Sequence, residues 1–204
     1  MKLYKLMMKL ATEILPLVFW VLLLFGFDKV YMAVITIIAA ILHEAGHCTA
    51  IKLLKCDTGT PIGHFSGFRI RQKQTTSYSK NILILLSGPL ANLVFSCLLF
   101  PFAFKSNYIA VVCLINFATA VSNLLPIRGY DGYTILEELF KSRYFSSGLK
   151  ALNCISFSLS VTLAFLALYM MYYLNEGYWL FAIFIVNLLA EMSRELKMRV
   201  CANN

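Results

Sequence analysis

Four long apolar stretches constrain this chain more than any other feature of its sequence. They span residues 31–54, 81–104, 108–127 and 152–174. Each supplies the ~20 mostly apolar residues that a helix needs to cross the hydrocarbon core of a bilayer. The chain has 204 residues, of which 60% are hydrophobic and 14% charged. A soluble domain of that size cannot bury so much apolar surface, so the sequence predicts an all-α integral membrane protein.

Two shorter apolar stretches, residues 10–27 and 177–193, bring the predicted number of spans to six. The first follows a basic start like that of a signal peptide, but no small-residue cleavage site comes after it, so we interpret it as a retained helix. The second is the weakest candidate because Glu191 lies near its end. We expect one membrane domain, residues 1–204, without an appended soluble domain.

The positions of the basic residues predict the orientation. The chain has 18 lysines and arginines, and all but Lys29 and Lys105 fall on one side of the six predicted spans. Because cytoplasmic segments carry the excess of Lys and Arg, both termini are predicted to be cytoplasmic. The formal net charge of +8 is then a topology signal that also attracts anionic lipid. It gives no reason to expect a nucleic acid as partner.

Two polar segments interrupt the apolar pattern on the predicted cytoplasmic side. The segment between spans two and three is glycine-rich and contains the alternating sequence FSGFRIR. Alternation of this kind is typical of a strand, so we predict a short β-hairpin or a membrane-reentrant loop. In the second segment, Pro126, Gly129 and Gly132 break the end of span four, and a short amphipathic segment follows.

The second predicted span contains the sequence HEAGH, residues 43–47, which holds two of the three histidines in the chain. Positions i and i+4 share one face of a helix, so His43 and His47 can reach the same metal ion. Glu44 is offset by one residue and can reach a water molecule at the site without being a ligand. The alternative is a pair of buried histidines hydrogen-bonded to neighbouring helices, but ionisable groups within a span are costly and rarely idle.

A catalytic zinc ion needs a third protein ligand, for which the sequence offers two candidates. His64 lies in the glycine-rich segment, and Asp131 follows span four. Position across the membrane favours Asp131. At ~1.5 Å per residue, His43 and His47 lie about 18 and 24 Å from the start of span two. Asn123, near the end of span four and shortly before Asp131, lies about 22 Å from the start of that span, which runs in the same direction. The proline and glycines after span four then let the chain fold back toward the histidines. We therefore predict one zinc ion per chain.

A third motif, SGPLAN at residues 87–92, lies within span three. Its small residues allow close approach of a neighbouring helix, and its proline favours a kink, so we interpret it as a packing motif.

Together, HEAGH, SGPLAN and NLLPIRGYDG resemble the motifs of the site-2 protease family of intramembrane zinc metalloproteases, and most of all its bacterial stage IV sporulation protease branch. They occur in the order and spacing of that family. The resemblance implies that His43, His47 and Asp131 bind zinc and that Glu44 is the catalytic carboxylate. Asn123 matches the Asn of an N-x-x-P element that is thought to help position the substrate or the developing oxyanion. Capping of the helix end is the alternative role.

Two features depart from the family pattern. The Arg128-Gly129-Tyr130 sequence is less apolar than is usual before the aspartate, and Tyr133 stands where many relatives have a small or basic residue. In addition, members of the sporulation branch often carry a cytosolic nucleotide-binding domain after span six. None follows here, so control by nucleotide is not expected.

The implied activity is hydrolysis of a peptide bond in a membrane-tethered or single-span protein, near the cytoplasmic face of a bacterial membrane. In the sporulation branch the substrate would be a sigma-factor precursor. Residues 64–71 could hold an extended substrate by strand addition, and regulatory membrane proteins are an expectation by analogy alone. Two other functions stay open. One is an inactive family member that binds membrane proteins without cutting them. The other is a zinc transporter, although transport usually needs several metal sites and the sequence offers one cluster.

Overall fold

The computed structural model describes residues 30–56, 58–64, 67–72, 77–142 and 146–174, together with four single residues at 185, 188, 189 and 192. The predicted first span, residues 10–27, lies outside the described residues, as does most of the predicted sixth span, residues 177–193. The number of six spans therefore stays a prediction.

The described chain is mainly helical. Its elements in chain order are α1 (Val30–Leu53), β1 (Thr58–His64), β2 (Gly67–Gln72), α2 (Tyr78–Ala103), α3 (Asn107–Asn123), α4 (Asp131–Ser142) and α5 (Ser146–Leu174). Among the described residues, three helices, α1, α2 and α5, are long and apolar enough to cross a membrane. The chain is an integral membrane protein, as its composition predicts.

Helix α3 is shorter than the predicted span over residues 108–127. It has 17 residues and ends at Asn123. Pro126 has no N–H to donate and disfavours a helical conformation at the residue before it, so the helix stops ahead of the proline. Gly129 then adopts a φ of 108°, which glycine reaches without steric cost. The chain thereby turns back, and α4 begins at Asp131, where the sequence predicts an amphipathic segment.

The end of α1 is a Schellman motif. Lys55 adopts the left-handed conformation with a φ of 50°. The Cys56 N–H donates to the Ile51 carbonyl at 3.1 Å, and the Lys55 N–H donates to the Lys52 carbonyl at 3.2 Å. These two bonds satisfy carbonyls that the helix end would otherwise leave without partners.

Strands β1 and β2 pair antiparallel immediately after α1. His64 lies opposite Gly67 and Pro61 opposite Ile70, with a shift of register between Thr58 and Pro61. Among the described residues, each of the two strands has one edge that pairs with no other strand.

The chain divides into two compact units. One is Lys29–Leu152, which contains α1 to α4 and the hairpin, and the other contains most of α5. Within the first unit, α2 is the central helix and packs against α1, α3 and α4. Its outward-facing large apolar side chains, such as Leu98 and Phe100, are exposed, as expected of surface that meets lipid. Most of the buried residues of α1, α2 and α3 are small or polar, the usual composition between membrane helices.

Candidate metal centre

Two glycines let α1 and α2 cross at contact distance. A Cβ atom added to Gly46 would lie 2.5 Å from the Ser87 carbonyl oxygen and 2.9 Å from the Ala91 Cβ, so no side chain fits there. A Cβ atom added to Gly88 would collide with the His47 ring and lie 2.9 Å from the His43 Cε1 atom. The SGPLAN motif thus packs against α1, as predicted, and Gly88 also lies directly against both imidazoles.

Three side-chain atoms, two from α1 and one from the start of α4, converge beside this crossing. The His43 Nε2 atom lies 3.1 Å from the Asp131 Oδ2 atom, and the His47 Nε2 atom lies 3.2 Å from the same oxygen. The two Nε2 atoms are 3.1 Å apart. Among the described residues this is the group whose ligand atoms could hold a metal ion. The three residues predicted as ligands are therefore brought together.

A backbone carbonyl fixes the orientation of one imidazole. The His47 Nδ1 atom lies 2.7 Å from the Ile84 carbonyl oxygen on α2. Because a carbonyl only accepts, Nδ1 must carry the proton, and the Nε2 lone pair of the neutral ring then faces the other two atoms. A partner of this kind on the second ring nitrogen is typical of metal-binding histidines. The same carbonyl accepts a second hydrogen bond, at 2.6 Å, from the Ser87 hydroxyl.

The third atom of the group is held by the turn between α3 and α4. Asp131 is the first residue of α4, so its carboxylate lies at the positive end of the helix dipole. A Cβ atom added to Gly132 would collide with the Leu124 carbonyl, so the start of α4 rests on the backbone at the end of α3. Arg128 closes the turn, since its Nε atom donates to the Tyr133 hydroxyl at 3.2 Å.

The electrostatics of the group favour a bound cation. Burial alone would raise the pKa of the Asp131 carboxyl, but the neighbouring His43 and His47 side chains outweigh it and lower the pKa below the ordinary aspartate value, although the buried Oδ2 atom has no hydrogen-bond partner among the described residues. The ionised Oδ2 atom then faces a lone pair on His47 Nε2, unless that ring carries a second proton. A cation at the centre of the triangle removes this repulsion.

The size of the triangle fits zinc. Zn–N distances of ~2.0–2.1 Å in a tetrahedral site place neighbouring ligand atoms about 3.3 Å apart. The three distances of 3.1 to 3.2 Å are close to that value. Three protein ligands also leave a fourth position open, which is the arrangement of catalytic rather than structural zinc sites.

The remaining predicted residues lie around this group. Glu44 is half-buried beside His43, and its charge acts on the His47 ring. It is not one of the three converging ligands. Asn123 is the last residue of α3, and its Nδ2 atom donates at 2.9 Å to the Thr119 carbonyl of its own helix. Its two proposed roles, capping of the helix end and substrate positioning, both stay predictions. His64, the other candidate ligand, is the last residue of β1.

The sequence did not predict which groups of α2 support the two histidines. The Ile84 carbonyl and the ring contacts of Gly88 were not anticipated, because they depend on which turn of α2 faces HEAGH. One signal was available. The small residues of SGPLAN mark where α1 can approach closely, and Ile84 lies one helical turn before Gly88 on the same face.

Comparison with known proteins agrees with this architecture. The chain is similar to the solved structure of a site-2 protease from Methanocaldococcus jannaschii, with a TM-score of 0.66 and 17% sequence identity. The match covers 88% of this chain and 87% of that chain. No protein-family model and no curated protein matches the sequence. The chain therefore has the fold of a site-2 protease, which confirms the resemblance at the level of fold but not the sporulation branch.

Proposed function

We propose that this chain is an intramembrane zinc metalloprotease that hydrolyses a peptide bond of a membrane-tethered protein. The observation that carries the proposal is the triangle of ligand atoms from His43, His47 and Asp131, with the His47 tautomer fixed by a backbone carbonyl. Asp131 is more than 80 residues from the two histidines in sequence and is brought to them by a fold shared with a site-2 protease.

Each residue then has a defined task. His43, His47 and Asp131 would hold one zinc ion, which when bound polarises the scissile carbonyl and promotes ionisation of the attacking water. Glu44 takes the proton from that water and later delivers it to the leaving amine, because its side chain is next to the ligands without being one. The Ile84 carbonyl keeps the His47 ring in the orientation that binding requires.

The substrate must supply an extended segment, since the carbonyls of an intact helix stay hydrogen-bonded. Within the part of the chain that the structure describes, the outer edges of the β1–β2 pair meet no further strand, so such a segment could add there as a strand. Removal of residues 64–71 should then slow cleavage in a folded protein, and full activity of that variant would end this part of the proposal. A sporulation sigma-factor precursor is a finer proposal, which rests on the motif resemblance alone.

The first experiment is a measurement of metal content in detergent-purified protein, because it requires no substrate. We expect about one zinc ion per chain in the wild type. His47→Ala should lose the metal and Asp131→Ala should bind it weakly. His64→Ala is the matched control, since it removes the alternative third ligand and should leave the metal content unchanged. Folded wild-type protein that takes up no zinc would contradict the proposed function.

The second experiment separates catalysis from metal binding. Glu44→Gln should keep its zinc and lose proteolysis of a membrane-tethered substrate, because the amide cannot accept a proton. Substantial cleavage by this variant would exclude Glu44 as the general base. Wild-type protein that binds zinc but cleaves no tested substrate would favour the inactive binding protein. Zinc flux in proteoliposomes would favour the transporter.

A further inference from the structure

A single buried amide joins the two helices that lead to the predicted ligands. Asn92 on α2 is 0% exposed. Its Nδ2 group donates to the Ala39 carbonyl on α1 at 2.9 Å and to the Asn116 Oδ1 atom on α3 at 3.0 Å. Both N–H bonds of one amide are thereby used, one on each neighbouring helix.

Each of these two contacts lies close in the chain to part of the metal site. Ala39 is one helical turn before His43, so the carbonyl that Asn92 binds is also the one that the His43 N–H bonds within α1. Asn116 belongs to α3, and the chain leaves α3 at Asn123 and reaches Asp131 through one short turn. The Asn92 amide therefore connects the helix that carries two ligands with the helix that leads to the third.

The orientation of this amide pair is determined by its partners. The Asn116 Nδ2 atom donates at 2.9 Å to the Val112 carbonyl, so its Oδ1 atom must be the one that faces Asn92. Asn92 therefore has to present its nitrogen to both acceptors. Its own Oδ1 atom is buried and has no hydrogen-bond partner among the described residues. Such an atom is costly, and an apolar residue of similar volume would avoid that cost.

We propose that Asn92, oriented by Asn116, is a positioning residue of the metal site. Its two hydrogen bonds set how far α1 lies along α2 and α3. They thereby set the distance between the two imidazoles and the Asp131 carboxylate. This inference rests on the proposed function, because it concerns the assembly of the same three ligands.

The chain contains a matched control for the same type of bond. Ser96 is one turn further along α2 and is also buried, and its hydroxyl donates to the Cys113 carbonyl on α3 at 2.9 Å. This bond joins α2 to α3 but does not involve α1. Loss of the Ser96 bond should destabilise the bundle without changing the register of α1.

The test is a titration of detergent-purified apoprotein with Co²⁺, whose visible absorption reports both affinity and ligand geometry, together with thermal unfolding. Asn92→Leu and Asn116→Leu should weaken Co²⁺ binding about tenfold and alter the spectrum, comparable to other losses of supporting interactions at metal sites. Asn116→Asp, in its neutral form, keeps both the oxygen that Asn92 binds and a donor for the Val112 carbonyl, so it should bind Co²⁺ more tightly than Asn116→Leu does. Ser96→Ala should unfold at a lower temperature and keep the wild-type spectrum and affinity.

Wild-type affinity and spectrum in Asn92→Leu would overturn the inference, and so would an equal loss of affinity in Ser96→Ala. If Asn92→Leu does not fold, the two Asn116 variants decide, and equal Co²⁺ affinities for them would overturn it. A wild-type protein that binds neither Co²⁺ nor Zn²⁺ would instead remove the proposed function, before any variant is measured.

Discussion

The two halves of the candidate metal centre are built in different ways. On α1, His43 and His47 are four residues apart on a regular helix, so the period of the helix alone places both rings on one face. Asp131 comes from a turn in which a proline ends one helix and Gly129 redirects the chain into the next. The first half is thus specified by local geometry, whereas the second depends on contacts between segments.

This difference implies different sensitivities to substitution. The histidine half is held by a helix crossing, so it should fail when something separates α1 from α2. The aspartate half is held by a few backbone contacts in a turn, so it should fail when that turn opens. Glycines mark both positions, because Gly88 lies against the imidazoles and Gly132 lies against the Leu124 carbonyl.

The largest effect is expected from Gly88→Ala. Its methyl group would collide with the His47 ring and crowd His43, so two of three ligands are displaced. We expect Co²⁺ affinity to fall by roughly 100-fold, the upper end for changes next to metal ligands. Leu90→Ala, in the same turn but on the exposed face of α2, should bind normally. Unchanged affinity in Gly88→Ala would show that the rings can move aside without loss of the site.

Gly132→Ala should have the next largest effect, and it acts on one ligand only. The new methyl group would collide with a backbone carbonyl, which cannot move aside as a flexible side chain can. Asp131 should then shift from the site, and metal content should resemble that of Asp131→Ala. Glu137→Ala, which removes a surface ion pair with Lys141 on the same helix, should leave metal content unchanged. If Gly132→Ala binds as much metal as the wild type, the turn can accept the methyl group without displacing Asp131.

The same contrast explains what the sequence could predict. The histidine pair and the extent of α1 follow from hydrophobic length and helical period, and α1 ends within one residue of the predicted limit. The end of α3 was predicted four residues too late, because Pro126 acts on the residues before it. The Ile84 carbonyl and the Asn92–Asn116 pair could not be predicted, because they depend on the register between helices. The predicted first span lies outside the described residues.

The smallest effect should come from Tyr133→Phe, which tests how the aspartate turn is braced. The change removes the hydroxyl that accepts the Arg128 hydrogen bond and keeps the ring, over which the guanidinium carbon lies 5.4 Å from the centroid. A net hydrogen bond contributes about 0.5–1.5 kcal/mol, which corresponds to roughly 2- to 10-fold in metal affinity if the whole loss reaches the site. Tyr108→Phe, an exposed tyrosine at the start of α3, is the control and should have no effect. A reduced affinity in Tyr133→Phe alone would mean that Arg128 and Tyr133, which belong to the two sequence features noted as departures from the site-2 protease pattern, act together to hold Asp131. Equal affinities would mean that Gly132 and the backbone suffice.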